Sequence, residues 1–308
     1  MRKELSWFTL ILGFLAGYTL LVSCHARTST LPSSSLEGMT HDSGSGLVVV
    51  LTDFGTADFY VGAMVGAMYT VNPQLRITTI THEIEPFNVA EGSYVLAQVA
   101  PEFPRGTVFL AIVDPGVGTS RRSIVVESLD QKLFVAPDNG LLTGVMDKLG
   151  MARAFEIANP AVMRKGKASS TFHGRDIYGP VAAHLARGAN PAGVGPEIAD
   201  LVRLPINEAR REGSVVMGSI VYIDRYGNMI TNISRDLMQE TNFRTGSRIN
   251  FTVNAKRITA TLATTYGDVP RGAWLVLFNA QNYLEIARNM ENAAKTLNVS
   301  AGMDVRLE

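Results

Sequence analysis

The chain has 308 residues, with 28 Lys and Arg against 28 Asp and Glu, so its formal net charge is zero; 46% of residues are hydrophobic and 18% charged. These values describe an ordinary globular protein with room for one large domain or two unequal ones, and they exclude a disordered or collagen-like chain. Balanced charge argues against a nucleic-acid partner, which wants a basic face, and a single cysteine excludes an internal disulfide framework.

Met1-Arg2-Lys3-Glu4 precede an uncharged span from Leu5 to Cys24 rich in Leu, Phe and Ile, the n-region and h-region of a signal peptide. Leu21-Val22-Ser23-Cys24 resembles the bacterial lipobox, with the chain's one cysteine where lipidation requires a thiol. The expectation is a signal peptide over 1–23, a lipid anchor at Cys24, and a place in the cell envelope facing the periplasm or exterior. An uncleaved anchor is the other reading, because about 20 apolar residues can span a bilayer. Residues 24–45 are rich in Ser, Thr and Gly and read as a flexible tether.

Gly46 to Leu51 is a continuous apolar run, as expected of a strand buried on both faces in a parallel sheet, and it ends in Thr52-Asp53-Phe54-Gly55. A helix is expected from Asp58 to Thr70, stopped before Pro73, then a strand over 76–84 and a helix over 89–100. The next strand, Val108 to Val113, closes on Asp114-Pro115-Gly116-Val117-Gly118-Thr119-Ser120-Arg121. A carboxylate at the carboxyl end of a strand can meet a ligand in an open α/β sheet. Strands at 123–127 and 132–136, a helix over 141–149 and another beginning at Pro180 complete a β-α-β alternation that implies a mainly parallel α/β layer. Beyond Leu204-Pro205 the pattern changes to short β-type runs at 215–223, 229–233, 248–253, 257–261 and 274–278. These read as a smaller antiparallel barrel or sandwich. The resulting division is an N-terminal α/β domain over 46–208 and a C-terminal β domain over 213–308.

Taken singly, the polar clusters between these elements have structural explanations. Asp53 could cap the following helix, Asp224 and Asn228 could shape a hairpin turn, and His173 could be a satisfied loop histidine. Thr81-His82-Glu83-Ile84-Glu85 has the composition of a metal-ligand cluster but reads as a solvated loop, and no His-Glu-x-x-His or paired Cys/His spacing supports a metallohydrolase. Together, five ordered motifs resemble one family. Thr52-Asp53-Phe54-Gly55, Asp114 to Thr119 with Arg121, Ala136-Pro137-Asp138-Asn139-Gly140-Leu141-Leu142, Phe172-His173-Gly174-Arg175-Asp176 and Tyr226-Gly227-Asn228-Met229-Ile230-Thr231-Asn232 are similar to the S-adenosyl-L-methionine (SAM) hydroxide adenosyltransferases. These are the adenosine-forming SAM hydrolases, relatives of the SAM-dependent fluorinase and chlorinase.

The resemblance implies an α/β domain followed by a β-barrel, assembled as a homotrimer with SAM between the α/β domain of one subunit and the barrel of its neighbour. Water attacks the ribose 5′ carbon and gives adenosine and L-methionine, SAM being substrate and no cofactor or metal being needed. Asp114, Arg121 and His173 take the positions of the family's catalytic trio. Asp53 would hold the ribose hydroxyls, Asp58 with Asp224 the methionine end, Phe87 would stack near adenine or ribose, and Asn228 would read the adenine edge. The halogenating relatives lack the Asp/His pair, so its presence favours water over halide. The loop Asn279-Ala280-Gln281-Asn282 departs from the family, which commonly has a Ser after the Asn and a Gly before the aromatic. An envelope lipoprotein that binds SAM or a nucleoside without turnover is the alternative reading; it would not need Asp114, Arg121 and His173 together.

Overall fold

The computed structural model describes residues 45–308 except 206, 240 and 242. The signal-peptide, Cys24 and tether readings therefore fall outside the described residues.

The first sheet contains β1 (Leu47–Thr52), β2 (Arg76–Thr81), β3 (Val108–Ile112), β4 (Ser123–Glu127), β5 (Leu133–Pro137), β6 (Arg153–Glu156) and β7 (Glu197–Ile198) in the order β2-β1-β3-β5-β4-β6-β7. The pairings β2-β1, β1-β3 and β3-β5 are parallel, while β4 runs antiparallel to both β5 and β6, and β6 to β7. Five residues of loop between β4 and β5, too few for a helical crossover, explain the reversal that the β-α-β alternation did not anticipate. The apolar runs have a direct cause. Val48, Val50, Leu110 and Ile112 face a core shared with Met64 and Met68 of α1 (Tyr60–Val71) and Val181 and Leu185 of α4 (Gly179–Ala186). Val49, Leu51, Phe109 and Ala111 face the opposite core, with Leu96 of α2 (Val89–Val99) and Val145 of α3 (Thr143–Leu149). With helices on both faces, alternation in hydrophobicity disappears.

The second sheet contains β8 (Arg210–Glu212), β9 (Val215–Ile223), β10 (Met229–Ser234), β11 (Arg248–Val253), β12 (Lys256–Leu262), β13 (Trp274–Phe278), β14 (Tyr283–Arg288) and β15 (Asp304–Leu307). Its order is β10-β14-β13-β12-β11-β15-β9-β8, and a further β9–β10 pairing closes seven of these strands into a barrel, with β8 attached outside the ring. The sandwich reading is thus overturned by that one pairing. Two short helices, α5 (Arg235–Gln239) and α6 (Ala293–Leu297), join the strands, and Met238, Ala293, Ala294 and Leu297 plug the barrel core beside Val216, Phe251, Val276 and Ile286.

The segment leading to the barrel is held against the first sheet. Arg122 donates from Nε to Asp138 at 2.9 Å and from Nη1 to Asp200 at 3.1 Å, Val202 N–H donates to Asp138 at 2.9 Å, and Leu204 N–H to the Thr143 hydroxyl at 2.9 Å. Tyr94 of α2 stacks on Tyr222 of β9 with ring centroids 5.3 Å apart. Sheet and barrel are thereby joined at two places.

Candidate functional site

The loops at the carboxyl ends of the parallel strands β1 and β3 converge with the segment that enters α4. Asp114 stands two residues beyond β3 and Arg121 two before β4, so the turn between them folds the guanidinium back over the carboxylate. Arg121 Nε donates to Asp114 Oδ1 at 2.8 Å and Nη2 donates to Oδ2, a bidentate pair in which the two side chains are 6% and 10% exposed. The same Nη2 lies 2.9 Å from His173 Nδ1. A guanidinium nitrogen can only donate, so Nδ1 is the acceptor and the ring proton sits on Nε2. Burial first, and then the Arg121 charge, hold His173 below the usual imidazole pKa of 6.5. The ring is therefore neutral at pH 7, with Nε2–H its remaining donor.

The frame around this trio explains why it is fixed. Arg121 Nη1 donates to Ser123 Oγ at 3.1 Å, and Ser123 Oγ in turn donates to the fully buried Tyr178 hydroxyl at 3.2 Å. Asn139 donates to the Val113 carbonyl at 2.8 Å, tying down the peptide next to Asp114. Gly118 has φ of +78°, and a Cβ there would stand 2.2 Å from the Ser170 carbonyl oxygen, so the loop can lie on the 169–171 segment only with glycine. That segment is fastened by Asp176, 2% exposed, which accepts from Ser169 N–H at 2.8 Å, from Arg175 at 2.7 and 2.9 Å and from Arg164 at 3.2 Å. The Arg175 hydrogen bond, ahead of its other partners, lowers the Asp176 pKa to about 2. His173 enters a single turn of π-helix, Gly174–Tyr178, before α4, and that wider turn sets His173 against Arg121 while Tyr178 points inward.

Asp53, at the end of β1, lies beside this trio. Its Oδ2 accepts from Phe87 N–H at 2.9 Å, and partial burial, supplemented by the Asp114 charge, raises its pKa above 3.8. Phe87 adopts φ of +69° and leaves its ring 72% exposed. The loop histidine of 81–85 departs from its solvated reading: His82 is only 9% exposed, packed under the Asp53 loop, while Glu83 and Glu85 are exposed. Asp58 is exposed and, among the described residues, makes no side-chain hydrogen bond or ion pair. Beside it, Phe59, Tyr60, Phe54 and Phe172 form a ring cluster with centroids 4.5 to 6.2 Å apart.

Asp224 and Asn228 lie elsewhere, in the β9–β10 turn of the barrel. Asp224 Oδ1 accepts from the N–H groups of Tyr226 and Asn228 at 2.9 and 2.8 Å, and Oδ2 accepts from Asn228 Nδ2 at 2.9 Å. Asn228 is buried, 7% exposed, with its amide nitrogen oriented by that bond. Among the described residues no hydrogen bond, ion pair or ring contact joins these two to the Asp114 group within one chain. The structure brings together Asp114, Arg121, His173, Asp53 and Phe87, and separately Asp224 and Asn228. Ser123, Tyr178 and Asp176 escaped the sequence reading as site residues, and His82 was read there only as part of a solvated loop. The Phe172-His173-Gly174-Arg175-Asp176 motif contained one of them, but a buried carboxylate fastening a loop has no spacing signal.

No group of three or more His, Cys, Asp or Glu side chains among the described residues is placed to hold a metal ion. What the trio offers is a carboxylate with lone pairs beside an imidazole N–H donor, suited to gripping a small polar molecule between acceptor and donor.

Residues 48–195 match the family model described as the SAM hydroxide adenosyltransferase N-terminal domain, and residues 218–306 the model of its C-terminal domain. The chain is 37% identical over 262 residues to (R)-S-adenosyl-L-methionine hydrolase of Methanocaldococcus jannaschii, covering 82% of this chain and 92% of that protein. It is 38% identical over 259 residues to the protein of the same name from Salinispora tropica, covering 83% and 95%. A fluorinase of Actinopolyspora mzabensis is 28% identical over 290 residues, covering 85% and 96%. Among solved structures, an uncharacterized conserved protein from Thermotoga maritima is similar with a TM-score of 0.81 and 39% identity, covering 85% of this chain and 99% of that chain.

Proposed function

Because the chain belongs to the SAM hydroxide adenosyltransferase family, we propose that the Asp114, Arg121 and His173 group is the catalytic centre of a SAM hydrolase. The enzyme converts SAM and water to adenosine and L-methionine. The C5′–S bond breaks with its electron pair going to sulfur, a C5′–O bond forms, and water loses one proton. The leaving group departs as a neutral thioether and needs no acid. The barrier lies in presenting an aligned, partly desolvated oxygen to carbon.

The geometry supports a division of labour. Water donates one hydrogen bond to Asp114 and accepts another from His173 Nε2–H, which aims a lone pair at the 5′ carbon. As the C–O bond forms, the proton passes to Asp114. Arg121 does not touch water; it holds the carboxylate by two hydrogen bonds and holds the imidazole in its Nε2–H tautomer. The single observation that carries this reading is the Arg121 bridge, one guanidinium hydrogen-bonded to both Asp114 and His173.

Binding roles follow the same chemistry. Asp53 accepts from the ribose diol, Phe87 covers the nucleoside, the Asn228 carbonyl accepts from the adenine amino group, and Asp58 and Asp224 place negative charge near the methionine ammonium and sulfonium. Phe87 and Tyr226, 72% and 78% exposed, stand beside Asp53 and Asn228 respectively, apolar surfaces open on two groups that one chain keeps apart. That supports a homotrimer with the sheet domain of one copy facing the barrel of the next. No cofactor or metal takes part. The N-terminal sequence supports a lipid anchor at Cys24 and a site in the cell envelope; labelled palmitate incorporated by the wild type and not by Cys24→Ser tests it.

The activity is tested by incubating the purified protein with SAM and following adenosine and methionine by chromatography, with Asp114→Ala alongside. Formation of both products by the wild type and their loss in the variant is the expected outcome. Saturable binding of SAM without turnover would instead make the protein a binding lipoprotein, and turnover unaffected by Asp114→Ala would remove the centre from this loop.

A further inference from the structure

His82 is a buried titratable group that the mechanism above does not use. Its ring lies between two threonines, with Nδ1 2.8 Å from Thr52 Oγ1 and Nε2 3.3 Å from Thr79 Oγ1. Its carbonyl accepts from Gly55 N–H at 2.7 Å, and Thr52 Oγ1 also accepts from Phe54 N–H at 3.2 Å. Ile84 N–H reaches the Thr52 carbonyl at 3.4 Å. These bonds surround one residue. Asp53 lies between Thr52 and Phe54, and its carboxylate is held from the far side by Phe87, five residues after His82. The β1-end loop and the β2-end loop are thus stitched together with His82 in the seam and Asp53 at its tip.

We propose that His82 is a positioning residue for substrate binding: the imidazole, acting through the Thr52 hydroxyl while the His82 carbonyl holds the Gly55 amide, sets the Asp53 carboxylate where it receives the ribose diol. The proposal rests on the reading of Asp53 as the diol acceptor. The chemistry of the ring suits the task. A neutral imidazole has one donor and one acceptor, and the fully buried Thr52 hydroxyl, already accepting from Phe54 N–H, can send its own proton to Nδ1 while Nε2–H goes to Thr79. Burial shifts the His82 pKa down, in keeping with a neutral ring. An imidazolium would put a donor against Thr52 and leave the buried hydroxyl proton without that acceptor, at the cost of an unmade hydrogen bond. Asparagine can offer a single polar group toward Thr52 and alanine none.

The test is a double-mutant cycle on the full chain with SAM turnover as readout. His82→Ala and Thr52→Val should each raise KM about tenfold, the equivalent of one hydrogen bond lost from the seam. Their kcat should stay within about twofold, because the catalytic trio is untouched. His82→Asn should recover part of the loss. In an Asp53→Ala background, itself high in KM, His82→Ala should add little, because the two act through one carboxylate. A merely structural role would lower kcat and thermal stability together and would persist in the Asp53→Ala background; that result, or an unchanged KM in His82→Ala, overturns the proposal. Unchanged KM in Asp53→Ala alone refutes instead the diol-binding role on which it rests. Should His82→Ala fail to fold, the Thr52→Val arm of the cycle decides by the same criteria.

Discussion

Asp114 and His173 are distinguished by what each can offer a water molecule. The carboxylate keeps free lone pairs although both oxygens already accept from Arg121, whereas the imidazole has committed Nδ1 to the same arginine and keeps only a donor. In the proposed mechanism Asp114→Asn, nearly isosteric but unable to take a proton, should lower kcat by about 10²–10⁴-fold with KM little changed, measured by steady-state turnover. Acidification should act on His173. Its folded pKa lies below 6.5, so the neutral ring persists to below that pH, and activity should fall as the pH descends through the lowered value, when an Nδ1 proton would confront the Arg121 donor. Asp53 moves oppositely. Its pKa is raised, so loss of the ionised diol acceptor begins above 3.8, and KM should climb at a higher pH than an ordinary aspartate would give. The residues legible in sequence at this scale were those whose chemistry is exposed at strand ends. Ser123, Tyr178 and His82 were not, because a serine under an arginine or a histidine between threonines carries no distinctive spacing.

Loops and helical turns determine whether those groups meet. Gly118→Ala places a side chain at φ of +78° and 2.2 Å from a carbonyl oxygen, so the Asp114–Arg121 loop must lift from the 169–171 segment. The strain costs about 1–3 kcal/mol. A displacement of an ångström in the attacking geometry lowers kcat by about 100-fold; thermal melting and turnover on the same sample check both. Asp176→Asn loses charge-assisted bonds to Arg175 and Arg164 and should destabilise by about 1.5–3 kcal/mol, read from denaturant unfolding. Strand positions were readable wherever the chain was apolar on both faces, as in β1 and β3. The direction of β4 was not, because a strand buried on both faces has the same composition whether parallel or antiparallel. The strand pattern left barrel and sandwich open, and the family resemblance implied the barrel that forms; its closure depends on β9 being long enough to pair with β15, β8 and β10 along its length. The π turn at Gly174–Tyr178 left no pattern to read at all.

Among the described residues three histidines, the buried His82 and the half-buried His173 and His184, all have pKa values below 6.5, with desolvation the leading cause in each. The unfolded chain therefore takes up protons that the folded one refuses. Stability fully present above pH 6.5 should decline as the pH falls from 6.5 toward the lowered values, a shift visible in the melting temperature. Asp53, Glu91 and Glu285, whose values are raised by burial, oppose this nearer their ordinary range of 3.8 to 4.5, so the loss should be steepest in the upper part of the window. Association is a second global property. In the proposed trimer no subunit owns a complete site, so dilution that dissociates it should remove turnover in step with the mass measured by sedimentation.

The pinned segment before the barrel would give the proposed assembly its geometry. Arg122, Asp138, Asp200 and Thr143 hold it against the first sheet, and Tyr94 on Tyr222 braces the barrel from the other side. When unlike faces of identical copies meet, the rotation from one copy to the next is repeated at every joint, and the chain of copies either returns to its start or winds on as a filament. In the proposed trimer a few hydrogen bonds would thus act as the protractor of the ring. Loosening them at Arg122 would alter the closing angle of the proposed ring, and open-ended polymers would be the visible sign.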